Sequence, residues 1–166
     1  MKLELHLNLV NVYYLKIKNY KYMKLITGAS SGIGKAIVNS VDDKESLILV
    51  SRRDPQIKGA KYIKCDFTNI EEIKNLIERI QEITTKIDLI VHSAGIMESS
   101  VSNKLELESL NKTFLVNTIA PLSITSNLTK QLSRAKGTVV AISSIASILD
   151  IPGEAIYSSS KSALDK

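Results

Sequence analysis

Thr27-Gly28-Ala29-Ser30-Ser31-Gly32-Ile33-Gly34 stands between a short apolar run, Lys24-Leu25-Ile26, and a stretch of helical character, Lys35-Ala36-Ile37-Val38. A glycine-rich turn between a strand and a helix is how an α/β chain receives a phosphate. Small residues let the backbone approach the ligand, and the opening turn of the helix offers unpaired N–H groups at the positive end of its dipole. The spacing is G-x-x-x-G-x-G, distinct from both G-x-G-x-x-G and the phosphate loop G-x-x-x-x-G-K-[ST]. Taken alone, the turn reads equally well as an ordinary strand-to-helix connection. The sequence downstream decides between the two.

Outward from the turn, apolar runs and amphipathic stretches alternate. A helix is expected to about Ser40, with Ile33, Ala36, Ile37 and Val41 on its inner side. Ser46-Leu47-Ile48-Leu49-Val50 is a continuous apolar run, as suits a parallel strand covered on both faces. Lys61-Tyr62-Ile63-Lys64-Cys65 predicts a third strand ending at Asp66. The segment before it contains Pro55 and Gly59 and is too short for a full crossover helix. Residues 68–83 read as a helix with Glu71 and Glu72 in its first turn and an apolar stripe of Ile70, Ile73, Leu76, Ile77 and Ile80. Leu89-Ile90-Val91 predicts strand four, running into His92-Ser93-Ala94-Gly95. Residues 105–132 read as mostly helical, kinked at Pro121. Strand five is expected over 138–142, ending at Ser143-Ser144, and a last helix opens at Tyr157 after Pro152-Gly153. Strands alternating with helices predict a right-handed parallel α/β sheet.

Composition bounds the class. The 166 residues suit one domain with a real core, and no apolar run approaches the roughly 18 residues of a membrane-spanning helix. Cys65 is the single cysteine, so no internal disulfide forms, which fits a reducing cytoplasm. The net charge is +5, but residues 1–22 hold Lys2, Lys16, Lys18 and Lys21 against Glu4, a net +3, leaving +2 for the rest. With no basic helix or Lys/Arg run there, the charge reads as solvated surface, not as a nucleic-acid interface. Residues 1–22 begin with leucines alternating with polar residues, lose that phase, and lack the continuous apolar core of a secretory signal. They read as an extension of uncertain status, with Met23 as an alternative start, and the domain proper as 23–166.

Tyr157 and Lys161 are four residues apart, so on a helix both project from one face. A phenol with a pKa of about 10 works near neutrality only if its phenolate is stabilised by roughly 4 kcal/mol, and a neighbouring ammonium helps supply that. Ser144 leaves the carboxyl end of a strand, where open α/β sheets bind ligands. Each feature alone is common: Y-x-x-x-K arises by chance, and Ser-Ser after a strand is ordinary loop chemistry.

Together they form a pattern. Thr27-Gly-Ala-Ser-Ser-Gly-Ile-Gly34, His92-Ser-Ala-Gly95, Asn117, Ser143-Ser144 and Tyr157-Ser-Ser-Ser-Lys161 follow in an order that resembles the short-chain dehydrogenase/reductase family. The thirteen positions from Ser144 to Tyr157 are similar too. The resemblance implies a Rossmann-type doubly wound parallel sheet of strand order 3-2-1-4-5 and a hydride-transferring oxidoreductase acting on a small carbonyl or alcohol. It implies Tyr157 as proton donor or acceptor and Lys161 as binder of the nicotinamide ribose. Ser144 would orient the carbonyl, and Asn117 would hold a water in the proton relay. Gly28, Ser30, Gly32, Ile33 and Gly34 would surround the pyrophosphate, Asp66 would meet the adenine, and Ala94 and Gly95 would pass the adenosine ribose.

Arg52 and Arg53 follow strand two, where such enzymes read the 2′ position of that ribose. A guanidinium there complements a 2′-phosphate, so NADP is expected over NAD. The other reading is a pair of solvated arginines on a turn. His92-Ser93 replaces an asparagine pair common in the family, and no second His or Cys clusters with His92, so a structural histidine is expected and no metal site. Ser147 stands where a glycine is frequent. The chain ends at Lys166, whereas the family continues through further strands and a substrate loop. An N-terminal portion of such an enzyme is therefore expected, prone to self-association. A remnant without catalysis, binding nucleotide weakly or a partner, is the alternative.

Overall fold

The computed structural model describes residues 21–98, 106–149 and 151–166. The leucine alternation near the N-terminus and the start of the helix expected from residue 105 lie outside them. Five strands, β1 (Met23–Thr27), β2 (Leu47–Ser51), β3 (Lys61–Lys64), β4 (Ile87–His92) and β5 (Thr138–Ala141), form one sheet in the order β3-β2-β1-β4-β5. Every neighbouring pair is parallel. The expected topology is thus the observed one.

Apolar runs become central strands because both faces of the sheet are covered. Leu25, Ile48, Val50, Ile63 and Ile90 point to one face, against α2 (Ile70–Ile83) and α4 (Ala120–Asn127). Ile26, Leu47, Leu49, Leu89 and Val91 point to the other, against α1 (Gly32–Ser40). Both faces of the middle of these strands are apolar, so the two-residue alternation of a half-wet strand is absent. As expected, β2 reaches β3 through a loop with no helix.

Several details differ from the pattern read in the sequence. In α1 the buried side is Gly34, Ile37 and Val38, followed by Val41, whereas Ile33 is 44% exposed and Ala36 also faces out. Ile70 is exposed at the start of α2, where Asn69 caps the helix by accepting from the N–H groups of Glu71 and Glu72. The stripe of α2 begins only at Ile73. Between α3 (Leu107–Phe114) and α4 the chain makes a π turn over Leu115–Ile119, in which Ala120 N–H donates to the Leu115 carbonyl. The irregularity thus precedes Pro121, which sits unstrained in the first turn of α4. A further break at Leu128 separates α5 (Thr129–Ala135), and α6 spans Ala155–Leu164, opening two residues before Tyr157.

Cys65 is a core residue whose thiol burial pushes up to about 12, so it stays protonated and unreactive. His92, at the end of β4, is 3% exposed and bonds Thr125 Oγ1 through Nε2 at 2.8 Å. Burial pushes its pKa down to about 4, so the folded ring is neutral. In the unfolded chain it titrates near 6.5. Between those values the unfolded state takes up the extra proton, and stability falls as the pH drops through the window. The expected loss by pH 4 is about 3 kcal/mol. Urea unfolding at successive pH values, compared with the non-titrating His92→Gln, checks it: the difference between the two should vanish if the ring is not buried and neutral.

Candidate functional site

The glycine turn sits at the carboxyl end of β1, and its geometry follows from two close approaches. Gly28 has φ +69°, and a Cβ on it would lie 2.7 Å from Ala94 N and 2.8 Å from the Ser93 carbonyl. A Cβ on Gly34 would lie 2.4 Å from the Gly28 carbonyl oxygen. Only hydrogen fits at either place, so α1 starts tight against its own turn and against the loop after β4. Thr27 Oγ1 completes the junction by accepting from the N–H groups of Ser93 and Ala94, both at 3.2 Å. Gly32 differs: its φ is +53°, and nothing lies within 4 Å of where a Cβ would stand. Ser31 makes no side-chain cap and the first turn of α1 holds no acid, so no side chain of the turn competes there for the helix N–H groups. Ser30 is half-buried on the turn, and Ile33 lies exposed beside it.

The second half of the site lies at the ends of β4 and β5. Asn117, on the π turn, is fully buried. Its Oδ1 accepts from Ile96 N–H at 2.8 Å, and its Nδ2 donates to the Ile96 carbonyl at 2.9 Å and to Ser160 Oγ at 3.0 Å. The side chain thereby holds the loop after β4 in place. Pro121, four residues on, brings no N–H, so the Asn117 carbonyl lacks its α-helical donor. A π turn placed there is typical of helices bent to serve a site.

Lys161, on α6, is 5% exposed, and its ammonium donates to the Ile142 carbonyl just past β5 at 2.8 Å. Burial lowers its pKa, with Asp165 opposing. A Cβ on Gly95 would stand 3.6 Å from Lys161 Nζ and 3.4 Å from Asn117 Oδ1, so the glycine lets the loop after β4 lie close against both side chains. The Tyr157 ring is half-buried, its centroid 5.9 Å from Lys161 Nζ. Ser144 Oγ accepts from Ala146 N–H at 3.2 Å, which leaves its own hydroxyl proton to donate elsewhere. Ser162 Oγ donates to the Ser147 carbonyl at 2.7 Å and ties α6 to that same turn.

At the far side of the sheet, Arg52 and Arg53 lie exposed directly after β2. Asp66, after β3, accepts from the Thr68 N–H and hydroxyl through Oδ1, both at 2.9 Å. Those bonds, with Arg52 and Lys112 nearby, hold its carboxyl below the usual carboxylate range. All the residues singled out in the sequence therefore lie along the carboxyl ends of the strands. Thr118 was not singled out, and Thr27 and Ser160 stood only within longer motifs with no role given them, though each fastens the site. Threonine at a strand end and one serine among three carry no distinguishing local signal.

A parallel sheet of order 3-2-1-4-5 with this turn at the end of its first strand defines a Rossmann-type nucleotide-binding domain. More particularly, the chain belongs to the short-chain dehydrogenase family, whose pattern matches residues 23–166. It is 30% identical over 150 residues to a 3-oxoacyl-(acyl-carrier-protein) reductase of Rickettsia bellii, covering 84% of this chain and 61% of that protein. An oxidoreductase of Listeria monocytogenes is 32% identical over 153 residues, covering 84% and 62%. Among solved structures, a 4-hydroxyisoleucine dehydrogenase complexed with NADH superposes with TM-score 0.78 at 28% identity, covering 86% of this chain and 64% of that one. An alcohol dehydrogenase of Thermococcus sibiricus complexed with 5-hydroxy-NADP gives 0.76 at 25% identity, covering 86% and 66%. The chain thus spans less than two thirds of the length of these relatives.

Proposed function

We propose that the protein is an NADP-dependent oxidoreductase that interconverts a small carbonyl compound and its alcohol. The observation that carries the reading is the buried ammonium of Lys161, held beside Gly95 and near the Tyr157 ring at the carboxyl end of the sheet. A dinucleotide fits the residues present. Gly28, Ser30, Gly32, Ile33 and Gly34 offer backbone N–H groups and room for the pyrophosphate. Ala94 and Gly95 leave a path for the adenosine ribose, and Asp66 accepts from the adenine amino group. The cofactor supplies the hydride.

The chain's own residues manage the proton and the oxygen. Ser144 donates a hydrogen bond from its hydroxyl to the substrate oxygen and keeps its proton, fixing the direction of that oxygen. Tyr157 gives that oxygen a proton during reduction and takes one during oxidation. Lys161 binds the nicotinamide ribose, its ammonium 5.9 Å from the centroid of the Tyr157 ring. Asn117, on the π turn, holds a water that returns protons from solvent. A desolvated lysine and a locked asparagine cost no reorganisation during reaction.

Arg52 and Arg53 support NADP, because a guanidinium pairs with a 2′-phosphate and offers nothing comparable to a 2′-hydroxyl. Replacing both by alanine is expected to remove a preference of about 1–3 kcal/mol. Fluorescence titration of NADPH and NADH into wild type and variant tests it, and equal wild-type affinities would sink the NADP assignment. Self-association in the cytoplasm fits the same reading. Ile119 and Leu122 are 51% and 55% exposed near and on α4, and among the described residues no helix is long and apolar enough to cross a membrane.

A further inference from the structure

The hydrogen bonds behind Tyr157 and Lys161 assign a function to two residues that do not face the open site. Ser160 is fully buried, between the tyrosine and the lysine on α6. Its Oγ accepts from Asn117 Nδ2 at 3.0 Å and donates to the Tyr157 carbonyl at 2.7 Å. Its own carbonyl accepts from Thr118 Oγ1 at 2.8 Å. Thr118 is 6% exposed and follows Asn117 on the π turn. Two consecutive residues of the turn therefore grip one residue of α6, by its side chain and by its backbone. We infer that Ser160 and Thr118 are positioning residues that set the register of α6 on the Asn117 turn, and so aim the Lys161 ammonium at the nicotinamide ribose.

The chemistry of each atom supports this. Asn117 Nδ2 has two hydrogens, and both are used, one on the Ile96 carbonyl and one on Ser160. The asparagine cannot turn without leaving a buried donor empty, which is costly. Lys161 is the next residue after Ser160, and its ammonium makes one fixed bond, to the Ile142 carbonyl. A helix free to slide or rotate on the turn would carry that ammonium away from Gly95. The two clamps are independent, since Thr118 holds backbone and Asn117 holds side chain.

The inference rests on the cofactor reading above, and the test separates the two. The full chain is titrated with NADPH and with 2′,5′-ADP, which carries the adenosine end and its phosphates but no nicotinamide. Ser160→Ala and the near-isosteric Thr118→Val are expected to weaken NADPH about tenfold, as loss of one such hydrogen bond allows. Affinity for 2′,5′-ADP should stay at the wild-type value, and Thr118→Ser, which keeps the hydroxyl, should restore NADPH. A merely structural role would weaken both ligands together. Thr118→Val serves should Ser160→Ala fail to fold, and circular dichroism monitors folding in every variant. Equal weakening of both ligands, or none, overturns the positioning role alone. Failure of the wild type to bind either ligand overturns the cofactor reading, and this inference with it.

Discussion

Tyr157→Phe is expected to lower carbonyl reduction in the intact protein by about 10²–10⁴-fold, the range in which a positioned acid or base contributes to a rate. NADPH affinity should be unchanged. The reason for the split is that phenylalanine keeps the ring and its packing on α6, and loses only the transferable proton. The Tyr157 carbonyl continues to accept from Ser160 Oγ, so the backbone of the helix has no cause to move. Lys161 keeps its bond to the Ile142 carbonyl and its place beside Gly95. Turnover and cofactor binding measured side by side settle it: an unchanged KM for NADPH with a collapsed kcat is the expected pair. A variant that retains most of its turnover would show that the proton takes another path. Lys161→Met should damage both quantities if, as proposed, the same ammonium binds the nicotinamide ribose beside Tyr157.

Gly34→Ala should destabilise the fold by roughly 3–5 kcal/mol, at the upper end of single substitutions. The new methyl carbon would stand 2.4 Å from the Gly28 carbonyl oxygen and 2.8 Å from its carbon. Both are backbone atoms, and Gly28 is itself wedged against Ser93 and Ala94, so no flexible side chain can yield. Either α1 moves off the turn or the turn moves off β4. Each would disturb the N–H groups that face the proposed pyrophosphate. Gly32→Ala at φ +53° provides the comparison, since nothing lies near its Cβ position. It carries only the left-handed backbone penalty of about 1–2 kcal/mol. Urea denaturation of both variants tests this ordering, and equal midpoints for Gly34→Ala and wild type would mean that the turn is looser than the structure shows.

What the sequence determined by itself was local and periodic. Runs such as Leu47-Ile48-Leu49-Val50 announce strands covered on both faces, because no face of them tolerates water. Gly28 and Gly34 announce the turn, because a tight approach of backbone to backbone admits no side chain. Tyr157 and Lys161 announce a shared helical face, because four residues make about one turn. Strand order followed from the family pattern that these pieces resemble.

Tertiary structure decided what depends on rotation and on contacts between distant residues. Helical periodicity permits either Ile33 or Gly34 to face the sheet. The contact of Gly34 with Gly28 sets the rotation of α1, turning Ile33 out and Val38 in. The stripe of residues 105–132 gave no sign of a π turn, because the extra residue in one turn changes the face of Asn117 without changing the composition around it. His92 and Thr125, thirty-three residues apart, meet only once β4 and α4 pack. Ser160 is one serine of three in a row until the fold brings Asn117 and Thr118 against it from more than forty residues away. Hydrogen bonds between elements have no period, so a linear pattern cannot carry them. The residues at the carboxyl ends of the strands were therefore legible as motifs, and the hydrogen bonds that hold them in place were not.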